Sequence, residues 1–251
     1  MKRTLTLLML VCLCKLSFAQ TDKWFGTYRD SIALVTDADK IIKQLAEKIS
    51  KADVKIDLSK NFAVKNTTPN LIFINYKKNT VNLPFWDEVI TPQKKFFHDV
   101  AVGETEGKEV FGLFFNGFYL AHELGHSFFA IAGKKFDNSY DSEYEANKFA
   151  VLYWQSVKEK KNLKKCYDYA QKMLKTLKNP VPEHEDYKKY ITENYSKLAS
   201  DPRKYGYIQF SQFVEIYKDK KLPDFKPISK NTSRNQNVYK KSCDGSIQRN
   251  F

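Results

Sequence analysis

The chain reads as an α+β protein, with a small sheet first and a mostly helical part after it. Two observations predict this. Short apolar segments bounded by turn residues fall before residue 86, and apolar residues at helical spacing dominate from residue 107 onward. The flanks predict no fold: residues 1–19 resemble a targeting segment, and residues 226–251 are polar with little to bury.

The opening "MKR" is basic, "TLTLLMLVCLC" is too short to span a bilayer, and "SFA" precedes Gln20. A charged start, an apolar run and small residues at the cut describe a secretory signal peptide ending at Ala19, with Lys15 interrupting the run. A lipid anchor at Cys12 or Cys14 lacks the preceding small residue that such processing favours. The expectation is an exported protein, periplasmic or secreted, with one domain over residues 20–225 and the tail over 226–251.

Within the domain, Ile41, Ile42, Leu45 and Ile49 recur at helical spacing. "NLIFINY" (70–76) has the composition of a buried strand, and "NTVNLPF" (79–85) of a second strand after a Lys-Lys-Asn turn. Residues 107–132 form an apolar stretch of helical length, with Gly133 as its C-cap and lysines at the negative end of the dipole. A second helix is expected from about Ser142 through "EYEANKFAVLYWQSV". Three more are expected, over 162–178, 183–199 and 207–219.

Net charge is +13, and losing Lys2, Arg3 and Lys15 with the signal leaves about +10. The lysines are scattered, no nucleic-acid motif accompanies them, and an exported chain rarely meets nucleic acid; that class of function is set aside. After signal cleavage Cys166 and Cys243 remain. Two cysteines leave open whether they pair or stay free.

The chemistry concentrates in "FYLAHELGHSFFA" (118–130). His122 and His126 lie one turn apart on one helix face, where two imidazoles reach one metal ion, and Glu123 sits beside them to take a proton from an activated water. Zinc suits such a site because it imposes no geometry of its own and makes a bound water acidic. These three polar groups interrupt an otherwise apolar helix, and burying them unpartnered would cost several kcal/mol.

A catalytic zinc site needs one more protein ligand. A third histidine on the same segment fails, because Phe129 and Ala132 stand at those landmarks. Asp141, Glu143 and Glu145 compete downstream. On a helix Ala146, Asn147 and Ala150 fall within about 60° of Glu143, whereas Glu145 points about 160° away. The small alanines allow close approach to the histidine helix, which favours Glu143, with Asn147 placed to orient a histidine. Glu145 remains the alternative; Asp141 is expected to cap the helix.

"HELGH" followed by "EYEANKFA" resembles the gluzincin class of zinc metallopeptidases, most closely the ImmA/IrrE-type peptidases and also the HtpX/CAAX-protease group. The resemblance covers residues 111–155. It implies a zincin-like (minigluzincin-like) catalytic domain with one zinc ion on His122, His126 and Glu143, Glu123 as general base, and a peptide or protein substrate. Asn147 stands where some members carry aspartate. A further donor should stabilise the oxyanion. Tyr207, in "YGY" after a Pro-containing turn, is the first choice among Tyr205, Tyr207, His184 and Tyr140. The strand "NLIFINY" reads first as an ordinary core strand, with an edge for an extended substrate as the alternative. Two other readings are open: a non-catalytic zinc-binding interaction module, and a membrane span over residues 111–132. Lacking a second such span, the chain is expected not to stay inserted in a membrane.

Overall fold

Asp30 starts the first helix. Its carboxylate accepts the Ile32 N–H at 2.8 Å, satisfying a donor that the first turn leaves orphaned. The structure, a computed structural model, describes residues 24–52, 56–67 and 71–225. The expected signal segment and polar tail, with Cys243, lie outside them. Helix α1 (Ser31–Ser50) buries Leu34, Ala38, Ile42, Leu45 and Ile49 along one stripe. It lies against β1 (Phe62–Lys65), where Asp39 accepts the Ala63 N–H.

Strands β2 (Phe73–Asn75) and β3 (Thr80–Leu83) complete a three-stranded sheet of order β1-β3-β2. Central β3 runs parallel to β1, with Ala63 opposite Val81, and antiparallel to β2, with Ile74 opposite Val81. Asn79 turns the chain between β2 and β3 at φ 55°, a left-handed conformation asparagine tolerates. The second expected strand is thus the buried centre of the sheet. The first is shorter than expected: Leu71 and Ile72 are buried but precede the pairing, and β2 is a half-buried edge. Strand β1 was not foreseen; its four residues carry too little pattern to announce it.

After a 3₁₀ turn at Trp86–Glu88 comes α2 (Thr91–Ala101), a helix the apolar pattern alone did not predict. Pro92 sits in its first turn, where a missing N–H costs nothing, and Phe97, Val100 and Ala101 face the core. The single helix expected over 107–132 is a longer rod: α3 (Glu104–Leu113), a π-helical turn at Phe114–Phe118, and α4 (Tyr119–Ile131). The break centres on Asn116 (φ −106°, ψ 26°). Its amide donates to the Pro84 carbonyl at 3.0 Å, and its own carbonyl accepts the Phe25 N–H at 3.0 Å. Beside it, Gly117 lets the Phe25 ring approach to where a Cβ would lie 2.5 Å away.

Gly133 (φ 68°) ends the rod as expected, its N–H on Ala130 O and the Lys134 N–H on Phe129 O. Among the described residues no helix is long and apolar enough to cross a membrane.

Helix α5 (Ser139–Ser156) returns across α4. Its cap is Asn138, which accepts the Asp141 N–H at 2.9 Å, and not Asp141. Ala146 and Ala150 are fully buried at this crossing, and a Cβ on Gly125 of α4 would press within 3.1 Å of Phe149. Small residues on both sides let the two helices approach closely. Helices α6 (Lys160–Met173), α7 (Tyr187–Ala199) and α8 (Pro202–Lys218) follow, the last two capped by Asp186 and Asp201. The structure is mixed α+β, mostly helical with a small sheet. Cys166 is buried in α6, its sulfur 3.7 Å from the Leu113 carbonyl, and burial pushes its thiol pKa up.

Candidate metal centre

The close α4–α5 crossing brings three side chains to one buried point. His122 and His126, one turn apart, set their Nε2 atoms 3.1 Å from each other. Glu143 Oε2 lies 3.2 Å from the first and 3.7 Å from the second. All three residues are at most 4% exposed. Four-coordinate metal–ligand bonds of about 2.0–2.1 Å, arranged tetrahedrally, separate neighbouring donors by about 3.3 Å. These three atoms span that range, so one ion can be held among them. Among the described residues no other such group of three acidic, histidine or cysteine side chains occurs.

A chain of amides fixes how His122 faces the point. The Tyr140 carbonyl can only accept, so Gln212 turns its Nε2 toward it at 3.2 Å. Gln212 Oε1 then accepts from Asn147 Nδ2 at 3.0 Å, which also donates to Gln209 Oε1 at 2.9 Å. Asn147 Oδ1 is left to accept from His122 Nδ1–H at 2.9 Å. His122 therefore carries its proton on Nδ1, and the Nε2 lone pair points at the shared site. The role expected of Asn147 is the one its contacts describe; Gln209 and Gln212 extend it.

Glu143 is held from the other side. Tyr205 and Gln209 donate to Oε2 at 3.2 and 2.9 Å, and Tyr195 donates to Oε1 at 3.2 Å. Tyr119 packs edge-on against His122, ring centroids 5.4 Å apart. Burial first, then the nearby Glu143 carboxylate, pushes the Tyr119 phenol pKa up, so it stays neutral. Glu123 is also buried, and its Oε2 accepts the Ile74 N–H of edge strand β2 at 3.1 Å.

The remaining candidates lie elsewhere. Glu145 pairs with Lys134 at 3.0 Å, on the opposite side of α5 from Glu143. Asp141 pairs with Lys188 at 2.7 Å. His98 sits on α2 beside Trp86, and His184 is exposed in the loop before α7. Tyr140 contributes its carbonyl, as above. Tyr207 packs half-buried against the core, whereas Tyr205 reaches Glu143. Residues two apart on a helix point about 160° apart, so only one of the pair can face the site.

Gln209, Gln212 and Tyr195 escaped the sequence reading. A signal for the glutamines exists: Tyr205, Gln209 and Gln212 fall at i, i+4 and i+7, a polar stripe on a helix whose neighbouring positions Ile208, Phe213 and Ile216 are buried. Comparison of this chain with protein-family models, with curated proteins and with solved structures finds no match, so the centre stands on its own geometry.

Proposed function

We propose that this chain is an exported zinc-dependent peptidase with a zincin-like catalytic domain. The observation that carries the proposal is the spacing of three buried donor atoms, 3.1, 3.2 and 3.7 Å apart, next to a fourth ionisable group, Glu123, that is outside the set. Two imidazoles and one carboxylate suit zinc; magnesium and calcium prefer all-oxygen sets. The resemblance of "HELGH" and "EYEANKFA" to gluzincins supports the same reading.

A zinc ion bound by His122, His126 and Glu143 supplies Lewis acidity toward a carbonyl and toward water. The protein does the rest. Asn147 keeps the His122 proton on Nδ1, so that Nε2 stays a ligand. Tyr195, Tyr205 and Gln209 stop the Glu143 carboxylate from rotating away. Ile74 N–H holds Glu123 Oε2, leaving Oε1 to accept the proton of the attacking water and later return it to the departing amine. Tyr205, whose single O–H is donated to the ligating oxygen, serves Glu143 and leaves no proton for a developing oxyanion.

The burial of the centre favours a second reading, a non-catalytic zinc-binding interaction module, because a peptide must reach the ion to be cleaved. Glu123→Gln separates the two. The peptidase reading expects the variant to keep zinc and lose peptide hydrolysis by about 10²–10⁴-fold. Activity surviving in the variant refutes the mechanism, and a zinc-loaded wild type inert toward a broad peptide mixture favours the module.

A further inference from the structure

A cavity of about 200 Å³ opens between α2, the π-helical turn and the start of α8. Phe97, Phe115 and Phe210 wall it, and Ile90 stands half-exposed at its rim. None of His122, Glu123, His126 or Glu143 lines it, so a guest there does not meet an ion held by them. Two lining residues nonetheless join it to the metal centre: Tyr119 packs edge-on against His122, and Gln209 donates to Glu143. The cavity is therefore distinct from the centre, yet built in part from groups that hold His122 and Glu143 in place.

Its polar lining residues are Gln93, Gln209 and Tyr119. Gln93 is engaged within the protein, and both ends of the Gln209 amide are used, on Asn147 and on Glu143. Tyr119 differs. It is 7% exposed, yet among the described residues its hydroxyl has no hydrogen-bond partner, and it is not sealed off as the Tyr153 hydroxyl is. A phenol both donates and accepts, and leaving it unmatched at that depth costs free energy that a guest accepting its proton recovers. The walls ask for an apolar body: a cavity of roughly 150 Å³ lined by aliphatic and aromatic groups holds a benzene ring. A negatively charged head is disfavoured, since burial and the Glu143 carboxylate already oppose negative charge on Tyr119 itself.

We infer that this cavity binds a small neutral molecule, with one aromatic ring or a branched aliphatic body and a single polar head that accepts the Tyr119 proton, and that its occupancy is coupled to metal binding. The coupling follows from the two shared side chains. A guest bonded to Tyr119 and packed on Gln209 restrains both against His122 and Glu143, which favours the arrangement that holds an ion. Linkage makes this reciprocal: the guest tightens the metal by the same factor as the metal tightens the guest. The inference needs a metal at the centre but not the hydrolysis of peptides. Gly206 gives a handle that touches neither metal ligand nor base. It lines the cavity, and a Cβ there would meet Phe96, Phe210 and Leu177 at 3.5–3.7 Å, ordinary contact distances.

The test measures Kd by calorimetry for benzyl alcohol, toluene and benzoate on the metal-free full chain, and again with zinc bound. Benzyl alcohol should bind about tenfold tighter than benzoate, whose charge would have to be buried. Tyr119→Phe should lower the ratio of benzyl alcohol to toluene affinity about fivefold, the loss of one hydrogen bond. Gly206→Leu should abolish binding of both and still take up zinc. Should it unfold, Gly206→Ala is the milder probe and should weaken both. Saturating benzyl alcohol should tighten zinc about fivefold in the wild type and leave it unchanged in Gly206→Leu. No binding of benzyl alcohol or toluene, a ratio untouched by Tyr119→Phe, or a zinc affinity indifferent to the guest overturns the inference. Protein that binds the series but holds no zinc refutes the metal centre and the coupling with it. Protein that shows both binding and coupling but cleaves no peptide refutes the peptidase reading alone.

Discussion

Helices α4 and α8 both send polar side chains into the same buried point, yet they do so differently. On α4, His122, Glu123 and His126 interrupt a run that is apolar almost all round, so that every polar atom stands out against Phe, Leu and Ala. On α8, Tyr205, Gln209 and Gln212 sit on a helix whose other faces carry Arg203, Lys204 and Glu215, and polarity there looks unremarkable. In the first set His122 and His126 are placed to hold an ion, with Glu123 beside them. The second set is not part of that group and instead orients it, through Asn147 and Glu143. Ligands are therefore visible by contrast with their surroundings, while the groups that aim them are visible only once the helices are packed.

The sharpest break of this comparison is within α5. Glu143→Ala should abolish stoichiometric zinc binding. It should also cost roughly 3 kcal/mol in the metal-free protein, because three donors, two of them buried, lose their acceptor. Glu145→Ala, which removes only partly exposed ion pairs with Lys134 and Lys148, should change stability by less than about 1 kcal/mol and leave zinc bound. Zinc titrations and thermal melts of both variants check this.

On α8 the effects should be graded and indirect. Gln212→Leu removes one of the two acceptors that fix Asn147 and should weaken zinc by up to about 10–100-fold without removing a ligand. Tyr205→Phe removes one hydrogen bond to Glu143, worth about 1 kcal/mol, whereas Tyr207→Phe should stay within about 0.5 kcal/mol of wild type. Competition with a chromophoric chelator measures all three; equal effects at Tyr205 and Tyr207 would remove α8 from the account.

What the residues alone revealed follows the same division. The α+β order, the long helices and the His122, His126, Glu143 set were legible because helical periodicity and three buried polar groups are local signals. Asn147 was legible because it shares the Glu143 face of α5, one turn on. Strand β1 and helix α2 were not, since four residues of strand and a lysine-rich first turn show no periodicity above background. Tyr205 was weighed below Tyr207 because the rotation of α8 is set by Phe210, Phe213 and Ile216 finding the core, a tertiary fact. The cap on α5 went to Asn138 in place of Asp141 for a local reason: a helix that begins three residues earlier places Asp141 inside its first turn.

The smallest effect concerns how α8 is anchored. Burial raises the Asp201 pKa, but hydrogen bonds from Lys204 and Arg203 outweigh it and hold the carboxyl below its ordinary 3.8. A lowered folded pKa means the cap's contribution is complete above pH 3.8 and is lost as pH falls through the folded value. Asp201→Ala should therefore lower stability by about 1 kcal/mol at neutral pH. The gap from wild type should be unchanged between neutrality and pH 5 and shrink only below pH 3.8, as melts across pH will show.

The most direct measurement is metal content with X-ray absorption at the zinc edge, on protein loaded with zinc and then desalted. One zinc per chain is expected, with two imidazole nitrogens at about 2.0–2.1 Å and a carboxylate oxygen at a similar distance, and no stoichiometric zinc retained by Glu143→Ala. Wild-type protein that retains no zinc, or a Glu143→Ala variant that retains one zinc per chain, would contradict this.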